Sequence, residues 1–522
     1  MKIAIAQINT TVGDLQGNYN KITEYINKAK KAKCDIVVFP ELAISGYPPE
    51  DLLLKEKFIS DQADYVKKLI DETKDIVVVL GYIESNIDNR NYKPFNACIV
   101  FYNQEELARH YKQHLPNYSV FDEQRYFNSS DYIATSFFTY KNQLIAINIC
   151  EDIWMGSGVC DNQGKLEPDI IINISCSPYY CHKIKEREAL LIKRAKEYKC
   201  NVVYCNLVGG QDELVFDGGS MIVNKKGQLV ASSPQFIEDL LLYEFGTINT
   251  LSDRPKKEYE IWEALKLGLG DYIRKNGFKK VVLGMSGGID SALVAKLAVD
   301  TIGKENVICI SMPSQYSSKE TQSDAESYST ELGVYFNTFP IQNLFEGYVN
   351  YLNPYFKGHG KGVTEENIQA RIRGNIIMAF SNNFGYMPLS TGNKSEVSVG
   401  YCTLYGDMSG GFNPIKDLYK TQVYELAKFV GIPESIINRP TSAELKEDQK
   451  DVDSLPPYDV LDKILVKLME ENKAPDSELE KKIAKLLRLS EYKRRQSCPG
   501  IKITKRSYGK DYRMPIVNGY HE

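Results

Sequence analysis

Along its first half the chain alternates short apolar runs with longer amphipathic stretches. The runs are "KIAIAQI" (2–8), "DIVVFP" (35–40), "DIVVVLGYI" (75–83), "NACIVFY" (96–102), "LIAINIC" (144–150), "DIIINIS" (169–175), "NVVYCNLV" (201–208) and "SMIVNKKGQLVASS" (220–233). Several repeat with a period of two, which sends successive side chains to opposite faces of an extended strand. The last run reads as a hairpin turned at Lys226-Gly227. Between the runs, 18–32 and 183–198 repeat at helical spacing. Strands interleaved with helices predict sheets covered by helices, an α/β layered domain over residues 1–245.

The pattern changes at "GTINTLSDRPKKEYEI" (246–261), which is polar, holds Pro255 and reads as a linker. Residues 262–522 make the second expected domain. It opens with a helix, "WEALKLGLGDYIRKNGF" (262–278), followed by a strand–loop–helix unit at 280–300 and a strand at "VICISM" (307–312). That alternation predicts a doubly wound parallel sheet. Beyond 458 the pattern is mostly helical and ends in an irregular basic tail.

Composition narrows the function classes. The 522 residues are 43% hydrophobic and 25% charged, with a formal net charge of -4. A chain of pI near 6.0 has no global basic surface, so nucleic acid is not the expected partner. Every apolar run falls far short of the roughly 20 residues that span a bilayer. The opening "MKIAIAQINTTVGDL" reads as a first strand instead of a signal peptide. The 11 cysteines include no CxxC pair and stand beside only 5 histidines, which argues against a Cys/His zinc site. The cysteines read as free thiols of a reducing cytoplasm, the expected location.

Candidate chemistry begins at "MSGGIDSALV" (285–294). A strand feeds Ser286-Gly287-Gly288-Ile289-Asp290-Ser291, and a helix follows. Glycines permit a backbone concavity of N–H groups, and the free N–H groups of the next helix add to that anion site. The loop is neither a Walker loop nor the GxGxxG dinucleotide fingerprint. It resembles the pyrophosphate loop of the ATP pyrophosphatases, which split ATP into AMP and pyrophosphate to activate a carboxyl or carbonyl group. That resemblance implies an adenine nucleotide α-hydrolase-like domain in which Asp290 helps to hold magnesium.

More segments agree. "SMPSQYSS" (311–318), "NIQARIRGNIIMAF" (367–380), "PLSTGNKSEVSVGYCTLYGDMSGGFNPIKDLYKTQV" (388–423), "ELKEDQKDVDSLPPYDVLD" (444–462) and "RSYGKDYRMPI" (506–516) together resemble the NAD synthetases. Those enzymes amidate the nicotinate carboxylate of deamido-NAD through an NAD-adenylate, the last step of NAD biosynthesis. Carried over residue by residue, the resemblance implies ATP contacts at Ser286, Gly287, Gly288, Asp290, Ser291, Thr391, Lys416 and Thr441. It implies deamido-NAD contacts at Arg371, Arg373, Glu396 and Lys510, and a magnesium pair of Asp290 and Glu396. Helical spacing puts Ile368, Ile372, Ile376 and Phe380 on one stripe and leaves Arg371 and Arg373 off it. A late cluster of Lys493, Arg494, Arg495, Lys502, Lys505, Arg506, Lys510 and Arg513 is either a solvated tail or an attraction for an anionic dinucleotide. Cys498 and Ile501 depart from the family's late segment.

An amidating enzyme needs nitrogen, and the first half holds a candidate source. Glu41 follows "DIVVFP", Lys112 lies in "RHYKQHLPNYSVFDEQRYF" (109–127), and Cys150 ends "LIAINIC". This set resembles the nitrilase superfamily, and "INICEDIW" (147–154) its glutaminase branch. The resemblance implies an αββα sandwich with catalytic Glu41, Lys112 and Cys150, and glutamine contacts at Tyr118, Glu123, Glu151, Ser177 and Lys183. A thiolate would attack the amide, a carboxylate would carry the proton, and a lysine would stabilise the oxyanion. The combined expectation is a glutamine-dependent synthetase that uses ATP and magnesium and forms homo-oligomers through synthetase-domain dimers. Two alternatives stay open on residues alone: another ATP-pyrophosphatase amidotransferase, and a nucleotide-binding regulator without turnover.

Overall fold

Continuous apolar strands form where both faces of a sheet are covered, and the first half of this chain meets that condition. The computed structural model describes residues 1–85, 93–130, 136–156, 158–247, 251–356, 362–447, 449, 451 and 454–518. The chain divides into two units, Met1–Lys256 and Lys257–Glu522.

The first unit holds two six-stranded sheets. One runs in the order Asp239–Glu244, Lys2–Gln7, Ile36–Val38, Val77–Glu84, Phe95–Tyr102, Glu105–Tyr111. The other runs Leu229–Ser232, Met221–Val223, Asn201–Asn206, Ile170–Ser175, Gln143–Ile149, Phe137–Tyr140. Strand pleating assigns the residues to layers. Ile3, Ile5, Val38 and Val79 share one core with Ile147, Ile172 and Val203 of the other sheet. Their neighbours Ala4, Val37 and Val78 pack with Ile22, Ile26, Val66 and Leu69 of the helices Leu15–Lys31 and Glu56–Glu72. On the far side Ile171, Val202 and Tyr204 pack with Leu191 and Ala195 of the helix Lys183–Tyr198. The result is an α–β–β–α sandwich. The polar strand Glu105–Tyr111 ("EELARHY") escapes a hydrophobicity reading because it lies at a sheet edge.

In the second unit four parallel strands run in the order Tyr335–Thr338, Val307–Ser311, Val281–Gly284, Met387–Leu389. In chain order these are the third, second, first and fourth strands, so the winding reverses beside Val281–Gly284. Ligands of doubly wound sheets bind at the carboxyl ends of strands at such a reversal. The helix Val363–Phe384 buries Ile372 and Ile377 against Val282, Ile308 and Ile310, with Ile368, Ile376 and Phe380 half-buried beside them.

The segment read as a linker contains 248–250, outside the described residues, and its last five residues begin the helix Lys257–Lys275. Much of the late basic cluster serves packing. Arg494 is buried, pairs with Glu491 at 2.9 Å and lies 5.2 Å over the Tyr508 ring. Lys493 donates to the carbonyls of Gly400 and Cys402 at 2.8 and 2.6 Å. Lys502 is buried against Asp511. These three charges are satisfied inside the fold. Among the described residues no helix is long and apolar enough to cross a membrane.

Candidate active sites

In the first unit, residues far apart in sequence converge around one buried lysine. Lys112 continues the edge strand Glu105–Tyr111, and its Nζ donates to Glu41 Oε1 and Glu123 Oε1, each at 2.8 Å. The other oxygen of Glu41 accepts the Cys176 backbone N–H at 2.8 Å, and Asn96 Nδ2 donates to Oε1 at 2.7 Å. Tyr47 donates its hydroxyl to Glu123 Oε1 at 2.8 Å. Cys150 opens a tight turn, Cys150–Ile153, directly after the strand Gln143–Ile149. Its φ is +44°, an uncommon conformation for a side-chain-bearing residue.

The electrostatics suit a proton-transfer site. Burial pushes the Cys150 thiol well above its usual range, and Glu41 adds to the rise while Lys112 opposes it. Burial also disfavours the Lys112 cation, but Glu123, Glu41 and Cys150 outweigh it and hold the group charged. Burial raises Glu123 to about 7, against the pull of Lys112 and with help from Glu41.

Around this centre lie the residues expected to hold an amino-acid substrate. Tyr118 donates to both oxygens of Glu151 at 3.0 Å. Lys183 lies 4.1 Å over the Trp154 ring, pairs with Glu186 at 3.0 Å and is depressed by burial. Ser177 receives Arg187 Nε on its hydroxyl at 3.1 Å, and Arg187 is locked to Asp217 at 2.7 Å with both side chains fully buried. Arg187, Asp217, Asn96 and Tyr47 were invisible to motif reading, since each acts through a partner distant in the chain.

The second unit carries a cavity of about 340 Å³ at the switch point of its sheet. Its lining includes Ser286, Gly287, Gly288, Asp290, Ser291, Arg373, Thr391, Glu396 and Thr441. Gly287 has φ +83°, and a Cβ there would fall 2.1 Å from the Thr321 carbonyl oxygen, so only glycine fits. The Ser286 hydroxyl accepts the Gly288 N–H at 3.2 Å, and Ser291 donates to the Gly288 carbonyl at 2.9 Å, which closes the loop on itself. The helix Ile289–Ile302 begins at the cavity wall, where its first N–H groups have no intrahelical acceptor.

Lys420, absent from the sequence reading, stands at the centre of this floor. Its Nζ lies 2.5 Å from Asp290 Oδ2 and 2.9 Å from Glu396 Oε1. Burial works against its charge, but the two carboxylates outweigh that effect and hold it charged. Asp290 is raised to about 6 by burial, with Lys420 opposing and Glu396 reinforcing. Asn393 donates to Asp290 Oδ1 at 3.1 Å and accepts the Glu396 N–H at 3.0 Å, tying the two acids together. Two carboxylate oxygens already converging on one positive charge are the hard donor set that magnesium takes. Arg373 lines the wall, donates from Nε to the Met312 carbonyl at 3.0 Å and is lowered to about 10 by burial.

Three expected contacts lie elsewhere. Lys416 lines a smaller hollow behind Glu396, beside Asn413 and Cys498. Arg371 is exposed and donates to the Leu404 carbonyl at 3.2 Å. Lys510 sits in the C-terminal turn between Tyr508 and Tyr512. Lys416 and Lys420 are four residues apart in "KDLYK", Lys416 in a turn and Lys420 at the start of the helix Lys420–Phe429, and only the packing selects between them.

Residues 2–246 match the carbon-nitrogen hydrolase family and residues 261–497 the NAD synthase family. Over 574 aligned residues the chain is 42% identical to the glutamine-dependent NAD(+) synthetase of Aquifex aeolicus, covering 100% of each. Identity to that of a Synechocystis species is 41%, over 99% of each. A solved glutamine-dependent NAD+ synthetase from Acinetobacter baumannii, in complex with ADP, is similar with a TM-score of 0.81 and 39% identity, covering 99% of this chain and 98% of that one. Single proteins thus match both units end to end, and the chain belongs to the glutamine-dependent NAD(+) synthetase family.

Proposed function

We propose that the chain is a glutamine-hydrolysing NAD synthetase, converting deamido-NAD, ATP, glutamine and water to NAD, AMP, pyrophosphate and glutamate. One observation carries this reading. A chain with a buried carboxylate–lysine–cysteine centre also holds a glycine loop at the switch point of a parallel sheet. The first unit supplies nitrogen and the second consumes it.

In the first unit the thiol is protonated at rest, so attack requires a base. Glu41 takes the proton as Cys150 sulfur bonds to the amide carbon, and returns it to the departing ammonia. Lys112, held charged by its two carboxylates, stabilises the oxyanion. Water then attacks the thioester carbon, Glu41 takes its proton and returns it to the Cys150 sulfur as the C–S bond breaks, and glutamate leaves. Tyr118, Glu151, Ser177 and Lys183 orient glutamine.

In the second unit the deamido-NAD carboxylate attacks the α-phosphorus of ATP, and pyrophosphate leaves into the loop of Ser286, Gly287, Gly288 and Ser291. Ammonia then displaces AMP from the adenylate. Thr391, Thr441 and Lys420 serve ATP from the cavity wall, and Arg373 the dinucleotide. Magnesium, when bound, would be held by Asp290 and Glu396 and would neutralise charge on the phosphates. Lys416 remains a proposed contact of ATP, and Arg371 and Lys510 of deamido-NAD.

A homo-oligomer is supported by Leu344, Tyr348, Tyr351 and Tyr355, all exposed at helical spacing on Gln342–Phe356. A reducing cytoplasm is supported by the described cysteines, which are all free. The test is NAD formation with glutamine or ammonium chloride, for the wild type and Cys150→Ala. The expected result is glutamine use by the wild type only and ammonium use by both. Failure of both nitrogen sources to give NAD with the wild type would overturn the substrate assignment.

A further inference from the structure

The buried carboxylate of Asp152 lies two residues after Cys150 and has no part in the chemistry above. It gathers donors from both catalytic segments. From the nucleophile's strand it accepts the Ile149 N–H at 3.1 Å. From the lysine's segment it accepts the N–H groups of Gln113 and His114, at 3.1 and 2.9 Å. His110 Nε2 meets Oδ2 at 2.8 Å and His114 Nδ1 meets Oδ1 at 3.3 Å. The His110 ring is fixed from its other side by the Ser136 hydroxyl at 2.7 Å, and the Ser136 carbonyl accepts the N–H of Ile147 in the Cys150 strand. His110 and Asp152 are both fully buried.

We infer that Asp152 and His110 form a clasp that sets Cys150 against Lys112, with Asp152 a positioning residue of the glutamine reaction. Three features lead there. The first is the backbone: Cys150 sits at φ +44°, an uncommon conformation for a side-chain-bearing residue, and it is held from both neighbours. Asp152 pins the residue before it and is itself two residues after it. The second is symmetry of attachment. His110 lies two residues before Lys112, while Gln113 and His114 follow it, so one carboxylate holds the lysine segment on both sides. The third is charge. All five contacts present hydrogen-bond donors to the carboxylate if His110 and His114 offer N–H, and only an anion accepts from all of them. Burial works against that anion, yet the bonds from His110 and His114 outweigh it and hold the carboxyl well below its usual range.

The inference rests on Cys150 as the glutaminase nucleophile. Asp152→Asn replaces one acceptor oxygen by an NH₂ that faces N–H donors, with almost no change of volume. Glutamine-dependent synthesis is expected to fall about 100-fold, the cost of a reacting group displaced by about 1 Å. Synthesis from ammonium should stay near the wild-type rate.

A readout that simple unfolding would not mimic is the pH dependence of Cys150 alkylation by iodoacetamide, followed at that residue by mass spectrometry. The thiol faces Glu41, Lys112, Glu151 and Glu123, so a change in its placement changes its titration. The profile should shift in Asp152→Asn. Because that variant could fail to fold, His110→Gln and His110→Leu form a second pair. Gln keeps an N–H in reach of Asp152 and should retain most of the glutamine rate, whereas Leu should lose it. Equal rates for Gln and Leu, or an unshifted alkylation profile in a folded Asp152→Asn, would overturn the clasp and leave the nucleophile assignment standing. A wild type unable to use glutamine would overturn both.

Discussion

Gly81 lies in the strand Val77–Glu84, pressed against the turn that carries Glu41. A methyl group there would stand 2.5 Å from Leu42 N, 2.5 Å from Pro40 O and 2.7 Å from Glu41 Cα. All three are backbone atoms, so no rotamer change relieves the clash. Atoms of this kind rest near roughly 3.5 Å apart, so Gly81→Ala must move the Glu41 segment by about 1 Å. Glu41 holds Lys112 Nζ and the Cys176 N–H at 2.8 Å each. A displacement of about 1 Å takes both past the roughly 3.2 Å limit of a good hydrogen bond. Overpacking of this sort costs about 1–3 kcal/mol of stability. Misplacement of the base costs about 100-fold in rate. The assay is NAD formation with glutamine and with ammonium on the same preparation, with a thermal melt as control. The glutamine rate should fall about 100-fold while the ammonium rate changes little. A folded Gly81→Ala protein with the wild-type glutamine rate would refute the argument, because it would show that the base tolerates the shift.

Three other outcomes are expected. Lys420→Met leaves Asp290 and Glu396 facing each other, which should cost about 3 kcal/mol and abolish ammonium-dependent synthesis. Synthesis at the wild-type rate in that variant would remove Lys420 from the site. Glu123 is raised from 4.5 to about 7, so its contribution to stability is complete below 4.5 and disappears as pH rises through about 7. Melting of the wild type should therefore weaken relative to Glu123→Gln across that window, and a flat difference would contradict the burial argument. Lys502→Met strips the buried partner of Asp511, whose loss should cost about 3–5 kcal/mol with little change in KM for deamido-NAD. A raised KM at unchanged stability would return the basic segment to dinucleotide binding.

Much of the architecture was legible because it is written locally. Alternation in "KIAIAQI" and "DIIINIS" marks strands, and the four-layer stacking follows from their being apolar on both faces. The strand–glycine loop–helix unit at 281–302 was readable for the same reason: the steric freedom of Gly287 and the start of the following helix are properties of neighbouring residues. The edge strand Glu105–Tyr111 was not readable, since its polar residues carry no apolar period.

By itself, then, the sequence determined the strand and helix periods, the two-unit order, the phosphate-type loop and the kinds of residue available for an amidase centre. The tertiary structure alone decided which of them meet. Glu41 reaches Lys112 across 71 positions and Cys176 across 135, and Asp290 reaches Lys420 across 130. No local pattern encodes a contact of that range. Charge state was also decided there: burial together with specific partners keeps the Lys112 and Lys420 cations and raises the Cys150 thiol. The physical reason is that periodicity and backbone freedom act between neighbours. Desolvation, ion pairing and the choice of Lys420 over Lys416 depend instead on what the folded chain brings alongside.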